Sequence, residues 1–576
     1  MRKLSHTFDF CVVGGGMAGL CAAIAAARKG SRVALVHDRP VFGGNASSEI
    51  RMHVCGADRS NQIPNMRETG ILEEVRLENL RRNPQRSFSI WDAILYEKVL
   101  LEPNLKAFLN CSCLDAEMDG DRIRSVTGWQ LTTETYHKIE AEVFADCSGD
   151  GILAPLTGAA FRIGREARSE YGESFAPEAA DQKTMGMTCL FEARDTGEPQ
   201  SFEPPSWAHD FPNDDDLPHR WHGYPGMGYW WIELGGEQDS IHDTEQIRDE
   251  LLKIVFGLWD HLKNHGDHGA EHWALDWIEF LPGKRESRRY VGAHVLTQND
   301  IESEGHFEDI VAYGGWTMDD HHPGGFRHKG EPTIFHPAPS PYGIPYRCLY
   351  SKNIANLMFA GRCMSATHMA MSSTRVMGTC AAMGQAIGTA AAMAIRNGIP
   401  PREVGVQSFE PLLQQTLLRD DCYLAWVRQE FSPLTRQAAL SAFSGDPEPL
   451  RDGINRPVGE DLHAWEGTVG DSVEYEFSSS QRVSEISLIF DSAMSQLIAM
   501  SHHGDYGQLT KIPPEMVRDF RIEIFTGEGW KVWRKIEGNG QRLVRVELGL
   551  EVMGVRAVFD ATWGSERVRL YAFYLD

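Results

Sequence analysis

The spacing Gly14-x-Gly16-x-x-Gly19 is that of a cradle for a dinucleotide pyrophosphate. Gly14 permits a tight turn, Gly16 lets the backbone approach the phosphates, and Gly19 lets a helix lie close to the preceding strand. Met17 and Ala18 open that helix, whose free N–H groups and positive dipole end face the phosphates. The acid that holds the ribose belongs at the end of the next strand, where the chain has His37 followed by Asp38. Either Asp38 serves after a one-residue shift, or His37 bonds the ribose hydroxyl itself; the reading favours Asp38.

The elements around these residues suit the task. Residues 10–13 form an apolar strand, an Ala-rich helix runs to about Arg28, Gly30 ends it, and residues 32–36 form a second strand. Gly43 and Gly44, with Asn45 and Ser47 behind them, suit a loop that passes a bound cofactor. Residues 66–82 read as an amphipathic helix that buries Ile71, Val75 and Leu80, and Ser89 caps another over 90–101. Strands are expected over 106–113, 122–130 and 137–144. The last runs into the glycine turn that contains Gly149 and Asp150. Residues 160–345 are irregular and rich in Trp, His, Pro and Gly, with one clear helix over 244–264. A second strand–glycine–helix unit spans 356–362, ends in Gly361 and Arg362, and precedes a long helix that starts near Met377.

After about residue 445 the chain reads as alternating short strands with no helices, which is a β-sandwich pattern. Trp465, Trp530, Trp533 and Trp563 are expected in its exposed loops, where they stack on sugar rings or serve as core and docking residues. Residues 416–443 read as helical. The Pro/Gly break at 445–449 suggests that a fragment from about 455 folds alone and that residues 1–450 keep their cofactor.

The chain has 576 residues, 42% of them hydrophobic and 24% charged, which fits a soluble protein of several domains. A formal charge of −25 argues against nucleic acid or an anionic membrane surface as partner. No apolar run reads as a membrane span, and no secretory leader is apparent. Eleven scattered cysteines suggest reduced thiols and a cytoplasmic location. A homo-oligomer is compatible with all of this.

Taken in order, residues 12–19, 43–49, 67–70, 146–151, 285–289, 344–347 and 357–362 resemble the FAD-dependent oxidoreductases of the glutathione-reductase-like superfamily. More narrowly they resemble a bacterial family often found among carbohydrate-degrading genes. The resemblance covers roughly residues 6–400 and implies an α/β fold. An FAD-binding Rossmann domain would be built from 1–160 and 346–400, with a substrate domain, 161–345, inserted. A helical linker, 401–450, and an all-β sandwich of galactose-binding-like or discoidin type, 455–576, would follow. The cofactor implied is FAD. Two departures stand out: His37 replaces the usual acid, and Arg362 stands where the late motif commonly has Asp, so Arg362 would meet a phosphate or the flavin edge.

No second GxGxxG follows a strand between 150 and 345, and no Cys-x4-Cys follows Gly44, so a nicotinamide domain and disulfide chemistry are not expected. That leaves a flavin that takes a hydride directly from a small organic substrate. Such a step needs a base and positive charge near the reduced ring. The charge is expected from the helix that starts at Met377 and Gly378, with Arg362 or Arg375. The base is sought among His322, His368, His53 and His321. Asp319, Asp320, His321 and His322 lack the spacing of a metal site, and no metal is expected. Arg285, Arg288 or Arg289 would clamp a carboxylate or sugar hydroxyls, with Arg288 the candidate put forward. The leading expectation is oxidation of a secondary alcohol of a sugar or glycoside. Two alternatives stay open: redox-neutral cleavage through a transient keto sugar, and carbohydrate binding with a relic flavin.

Overall fold

The computed structural model describes residues 1–406, 409–502 and 507–576. Its centre is a parallel sheet of short, mostly apolar strands: β1 (Phe10–Val13), β2 (Val33–Val36), β3 (Leu105–Phe108), β4 (Val143–Asp146) and β5 (Leu357–Phe359). They lie in the order β5-β4-β1-β2-β3. Every residue of β1, β2, β4 and β5 is buried, as expected of parallel strands covered on both faces. β5 enters from more than two hundred residues further along the chain and pairs with β4.

Helix α1 (Met17–Arg28) packs beside helix α2 (Met377–Asn397). Their approach explains the small residues of α2. A Cβ on Gly384 would lie 2.0 Å from the carbonyl oxygen of Ala18, and one on Gly388 2.1 Å from that of Ala22. By length and composition α2 could cross a membrane, but 89% of its apolar window is buried inside the fold.

A second sheet joins Arg2–Thr7, Thr135–Glu140, Arg122–Gln130 and Cys111–Asp119 in that order. The strand expected over 106–113 is in fact two. Asn110, at φ 51°, turns the chain out of β3 and into the second sheet. The helix expected from residue 66 begins at Ile71, after Gly70 at φ 73°. The helix expected over 90–101 spans Phe88–Leu100, with Ser87 at its N-cap. Between residues 160 and 345 lie short ladders around the helix Thr244–Asn264, whose apolar stripe packs with Phe191, Tyr229 and Trp231 in a separate core.

The C-terminal strands form one continuous ladder that folds over itself. The first half of Ser472–Phe490 pairs with Ala439–Ala442 and with the second half of Leu543–Thr562. Its second half pairs with Arg567–Leu575 and with the first half of Leu543–Thr562. Register shifts between Glu476 and Gln481 and between Val483 and Glu485 interrupt the ladder between its two halves. Two expectations are corrected here. Residues 416–443 are not one helix: Glu410–Arg419 and Pro433–Gln437 are helical, and Ala439–Ala442 is an edge strand of the C-terminal sheet. Trp465 is not in an exposed loop: it is fully buried and donates to the Ser444 carbonyl. Trp530 and Trp533 sit on the strand Trp530–Ile536, and Trp563 donates to the Asn539 carbonyl.

Candidate active site

The glycine turn meets three separate steric demands. Gly14 lies at φ +103°, and a Cβ there would sit 2.5 Å from the Cys147 backbone. A Cβ on Gly19 would lie 1.8 Å from the Gly14 carbonyl oxygen. At Gly16 the nearest atom to a Cβ is the Gly44 Cα, 3.9 Å away, so this position opens into space rather than against the fold. That space is a cleft of about 580 Å³.

The cleft walls carry Gly14, Gly16, Met17, Ala18, His37, Asp38, Gly43, Gly44 and Asn45. Gly149, Asp150, Gly361, Arg362, Arg375 and Met377 complete this set of expected residues. Gly19, Ser47 and Gly378 stand behind the wall. Ser47 donates to the Gly44 carbonyl at 2.7 Å, and the Gly378 N–H donates to the Cys55 carbonyl at 2.8 Å. His37 is engaged on both sides. Its Nδ1 accepts from the Gly15 N–H at 3.0 Å, so Nε2 carries the proton and donates to the Val41 carbonyl at 3.0 Å. The Asp38 side chain is 62% exposed at the cleft. Asp150 receives Lys284 at 2.8 Å and Ser287 at 2.8 Å, with Arg362 3.6 Å away. Burial works against charge on this carboxylate, but Lys284 and Arg362 hold its pKa below the usual carboxylate range.

A second cavity of about 530 Å³ adjoins the first. Asn45, Lys284, Arg362, Arg375 and Met377 line both. Its aromatic faces are Trp230, Trp316 and Phe335, and its polar groups include Arg59, Gln62, Thr188 and Arg285.

Of the four candidate histidines, His53 and His321 line this cavity. His321 is buried between two carboxylates, with Nδ1 2.6 Å from Glu233 and Nε2 3.2 Å from Asp319. Asp319 in turn receives Thr333 at 2.7 Å and Arg375 at 3.0 Å. Burial raises the pKa of both carboxylates, but Arg285 beside Glu233, and His321 and Arg375 beside Asp319, hold them below their ordinary values. Both are therefore ionised, and they flank the His321 ring on its two sides.

His322 and His368 are corrections, because neither lies on the wall of either cavity. His322 is exposed and its Nδ1 accepts from the Gly324 N–H at 3.1 Å. His368 is buried, with Nδ1 2.9 Å from Glu286 and Nε2 3.0 Å from Asp320. Burial would lower its pKa, yet Glu286 and Asp320 together raise it to about 10. A group that keeps its proton at neutral pH and faces no cavity cannot act as a base there. Arg288 is also corrected: it donates to the Asp150 carbonyl at 3.2 Å and does not reach the cavity. Arg285 does, donating to Thr188 and to the Trp230 carbonyl, each at 2.7 Å. Arg289 is buried against Glu166 and Glu286.

Glu279 was not visible as a site residue. It is fully buried on the cavity wall, and its Oε2 accepts from the Leu190 N–H at 2.7 Å. Its Oε1 has no hydrogen-bonded side chain among the described residues and lies near the Gly283 backbone. Burial pushes its pKa well above the carboxylate range, so a neutral acid with one donor faces the cavity. A single acid within the apolar run Trp277-Ile278-Glu279-Phe280-Leu281 is the signal that could have pointed to it.

A parallel sheet with a glycine cradle at the carboxyl ends of its strands, adjoining a second cavity, defines a dinucleotide-dependent enzyme. Residues 9–413 match the FAD dependent oxidoreductase family, and the chain belongs to that family. FAD is therefore its cofactor, and the cleft fits it: Gly16 leaves the gap that a pyrophosphate needs. No curated protein matches the chain. Among solved structures it is similar to a geranylgeranyl bacteriochlorophyll reductase-like protein of Thermoplasma acidophilum, at 13% identity and a TM-score of 0.32, over 72% of this chain and 86% of that one. It is also similar to the family 32 carbohydrate-binding module of Streptococcus pneumoniae EndoD, at 13% identity and a TM-score of 0.20, over 25% of this chain and 99% of that one. L-proline dehydrogenase of P. horikoshii aligns at 19% identity and a TM-score of 0.17, over 26% of this chain and 24% of that one.

Proposed function

We propose that this FAD oxidoreductase removes a hydride from the C–H of a secondary alcohol on a sugar or glycoside. The carrying observation is the continuity of the two cavities through Asn45, Lys284, Arg362, Arg375 and Met377. FAD, when bound, supplies the hydride acceptor. The chain's own residues do the rest. Asp38 holds the ribose and the turn at Gly16 the pyrophosphate. Trp230 and Trp316 offer flat apolar faces to a sugar ring, while Arg59, Gln62 and Thr188 offer hydrogen bonds to its hydroxyls. Arg362 and Arg375, with the N-terminus of α2, place positive charge where the two cavities meet. His53, the remaining imidazole on the wall, takes the hydroxyl proton. His321 holds Asp319 and, through it, Arg375 in position.

An anaerobic screen of mono- and oligosaccharides against the holoenzyme, read as bleaching of the flavin absorbance, tests this. A sugar or glycoside should bleach it, and His53→Ala should slow bleaching by roughly 10²–10⁴-fold with flavin retained. Bleaching by amino acids or thiols and by no polyol would overturn the substrate class. An undiminished rate in His53→Ala would overturn the role given to His53.

A further inference from the structure

Away from both cavities, Asp214, His222, His261 and His268 each present one ligand atom within 4.8 Å of the others. His261 projects from the end of the helix Thr244–Asn264 and is fully buried. Its Nδ1 donates to the Phe211 carbonyl at 2.7 Å. The Nδ1 of His222 donates to the Arg220 carbonyl at 2.5 Å. A carbonyl can only accept, so both rings carry their proton on Nδ1. In the neutral rings both Nε2 atoms are then bare lone pairs, and they face each other at 3.3 Å. Two lone pairs at that distance repel unless a cation lies between them. Hydrogen-bonding the far nitrogen to a carbonyl is also how metal-bound histidines are oriented.

The spacing fits a particular ion. Tetrahedral zinc, with bonds of about 2.0–2.1 Å, sets its ligand atoms about 3.3–3.4 Å apart. Asp214 Oδ1 lies 3.1 Å from His261 Nε2, 3.6 Å from His222 Nε2 and 3.7 Å from His268 Nε2. His268 Nε2 also lies 3.1 Å from the His265 carbonyl, so it binds an ion only in the tautomer that moves its proton to Nδ1. Three imidazoles and one carboxylate suit a borderline transition ion and not calcium or magnesium.

We propose that Asp214, His222, His261 and His268 form a structural site for a zinc-type divalent cation. Four protein ligands close the site, so its role is to fasten the segments around residues 211–222 and 265–268 to the end of the helix Thr244–Asn264. The first of these segments leads to the cavity wall: Trp231 donates to the Trp221 carbonyl at 2.9 Å, and Trp230, beside it, lines the second cavity.

The test uses the untagged, full-length holoenzyme. Its metal content is measured after purification without chelator, and thermal unfolding is followed after stripping with EDTA and re-addition of zinc or magnesium. The expected result is about one zinc per chain, a midpoint several degrees lower after stripping, and recovery with zinc but not magnesium. The double variant Asp214→Asn/His222→Gln should purify with flavin and without zinc, and its midpoint should ignore both treatments. Asp214→Asn alone, at an exposed position, should bind zinc at least tenfold more weakly. Wild-type protein that neither retains zinc nor responds to it would overturn the proposal and leave a shared proton in the cluster. A zinc response that survives in the double variant would overturn it as well.

Discussion

The guanidinium of Arg67 and the carboxylate of Glu73 meet at 2.7 Å with side-chain exposures of 0% and 1%. The pair is completed by the other half of the molecule. Arg67 also donates to the carbonyls of Ser492, Ala493 and Gln496, and the Ser492 hydroxyl donates to Glu73 at 2.6 Å. Burial raises the Glu73 pKa, but Arg67 and its neighbours bring it down to about 2. Arg67→Ala leaves that carboxylate buried without its guanidinium partner, and should cost about 3–5 kcal/mol in chemical denaturation. A loss below about 1 kcal/mol would show that the pair is dispensable.

Gly16 and Gly19 should separate cofactor binding from folding. A side chain at Gly16, where φ is −66°, meets only open cleft, so Gly16→Val should fold and purify colourless. A Cβ at Gly19 overlaps the Gly14 carbonyl, so Gly19→Ala should yield little folded protein. Circular dichroism and flavin absorbance read both. A yellow Gly16→Val protein would mean that the pyrophosphate does not lie against this residue.

The cradle is legible in the sequence because each of its glycines answers a local demand that a motif records. The second cavity is not. Arg285, Trp230, Trp316 and Glu279 come from separate segments of the irregular middle region, and neither periodicity nor spacing says that they converge. His322 and His368 illustrate the reverse error. Their positions near the motifs are visible in the chain, but the carboxylates that fix His368 are contributed by residues 286 and 320, and only the fold brings these together. The segment 67–70 reads as part of a cofactor motif, yet its residues dock and brace the fold. Arg67 binds the sandwich loop, Glu68 accepts from the Ala57 N–H at 2.8 Å, and Thr69 donates to the Asp421 carbonyl.

Glu279 should tolerate conversion to an amide better than loss of its acceptor. Burial keeps it neutral, so Glu279→Gln preserves both neutrality and a bond to the Leu190 N–H. Its stability should stay within about 1 kcal/mol of wild type, whereas Glu279→Ala should lose about 1–3 kcal/mol by leaving that N–H unsatisfied. Equal losses in urea unfolding would show that the carboxylate is charged in the folded state.

His368 should impose a pH dependence on stability. The folded protein holds its proton to about pH 10, whereas an unfolded chain releases it near pH 6.5. The stabilisation is therefore complete below about pH 6.5 and is lost as pH rises towards 10. Urea midpoints between pH 6 and pH 9.5 should fall in wild type and fall less steeply in His368→Asn. Parallel slopes would remove His368 as the cause.

Dividing the chain at residue 450 should fail on both sides, against the expectation drawn from the Pro/Gly break. The cut separates the edge strand Ala439–Ala442 from its partner Ser472–Phe490. It strips Ile498, Ile512 and Met516 from Leu77 and Leu80. It also exposes Arg67 and Glu73, and it removes Arg456, which donates to the carbonyls of Asn65 and Arg67 and to the Tyr313 hydroxyl. Arg542, buried against Asp421 at 2.8 Å, ties the same surfaces together. A 1–450 fragment carries this unpaired apolar and charged face into water and should aggregate. A 438–576 fragment keeps the edge strand and should be more soluble than 455–576. Size-exclusion chromatography and flavin absorbance of the separately expressed pieces decide the matter. A monomeric, yellow 1–450 fragment would show that the flavin half folds without the sandwich and that the buried Arg67–Glu73 pair is satisfied within its own domain.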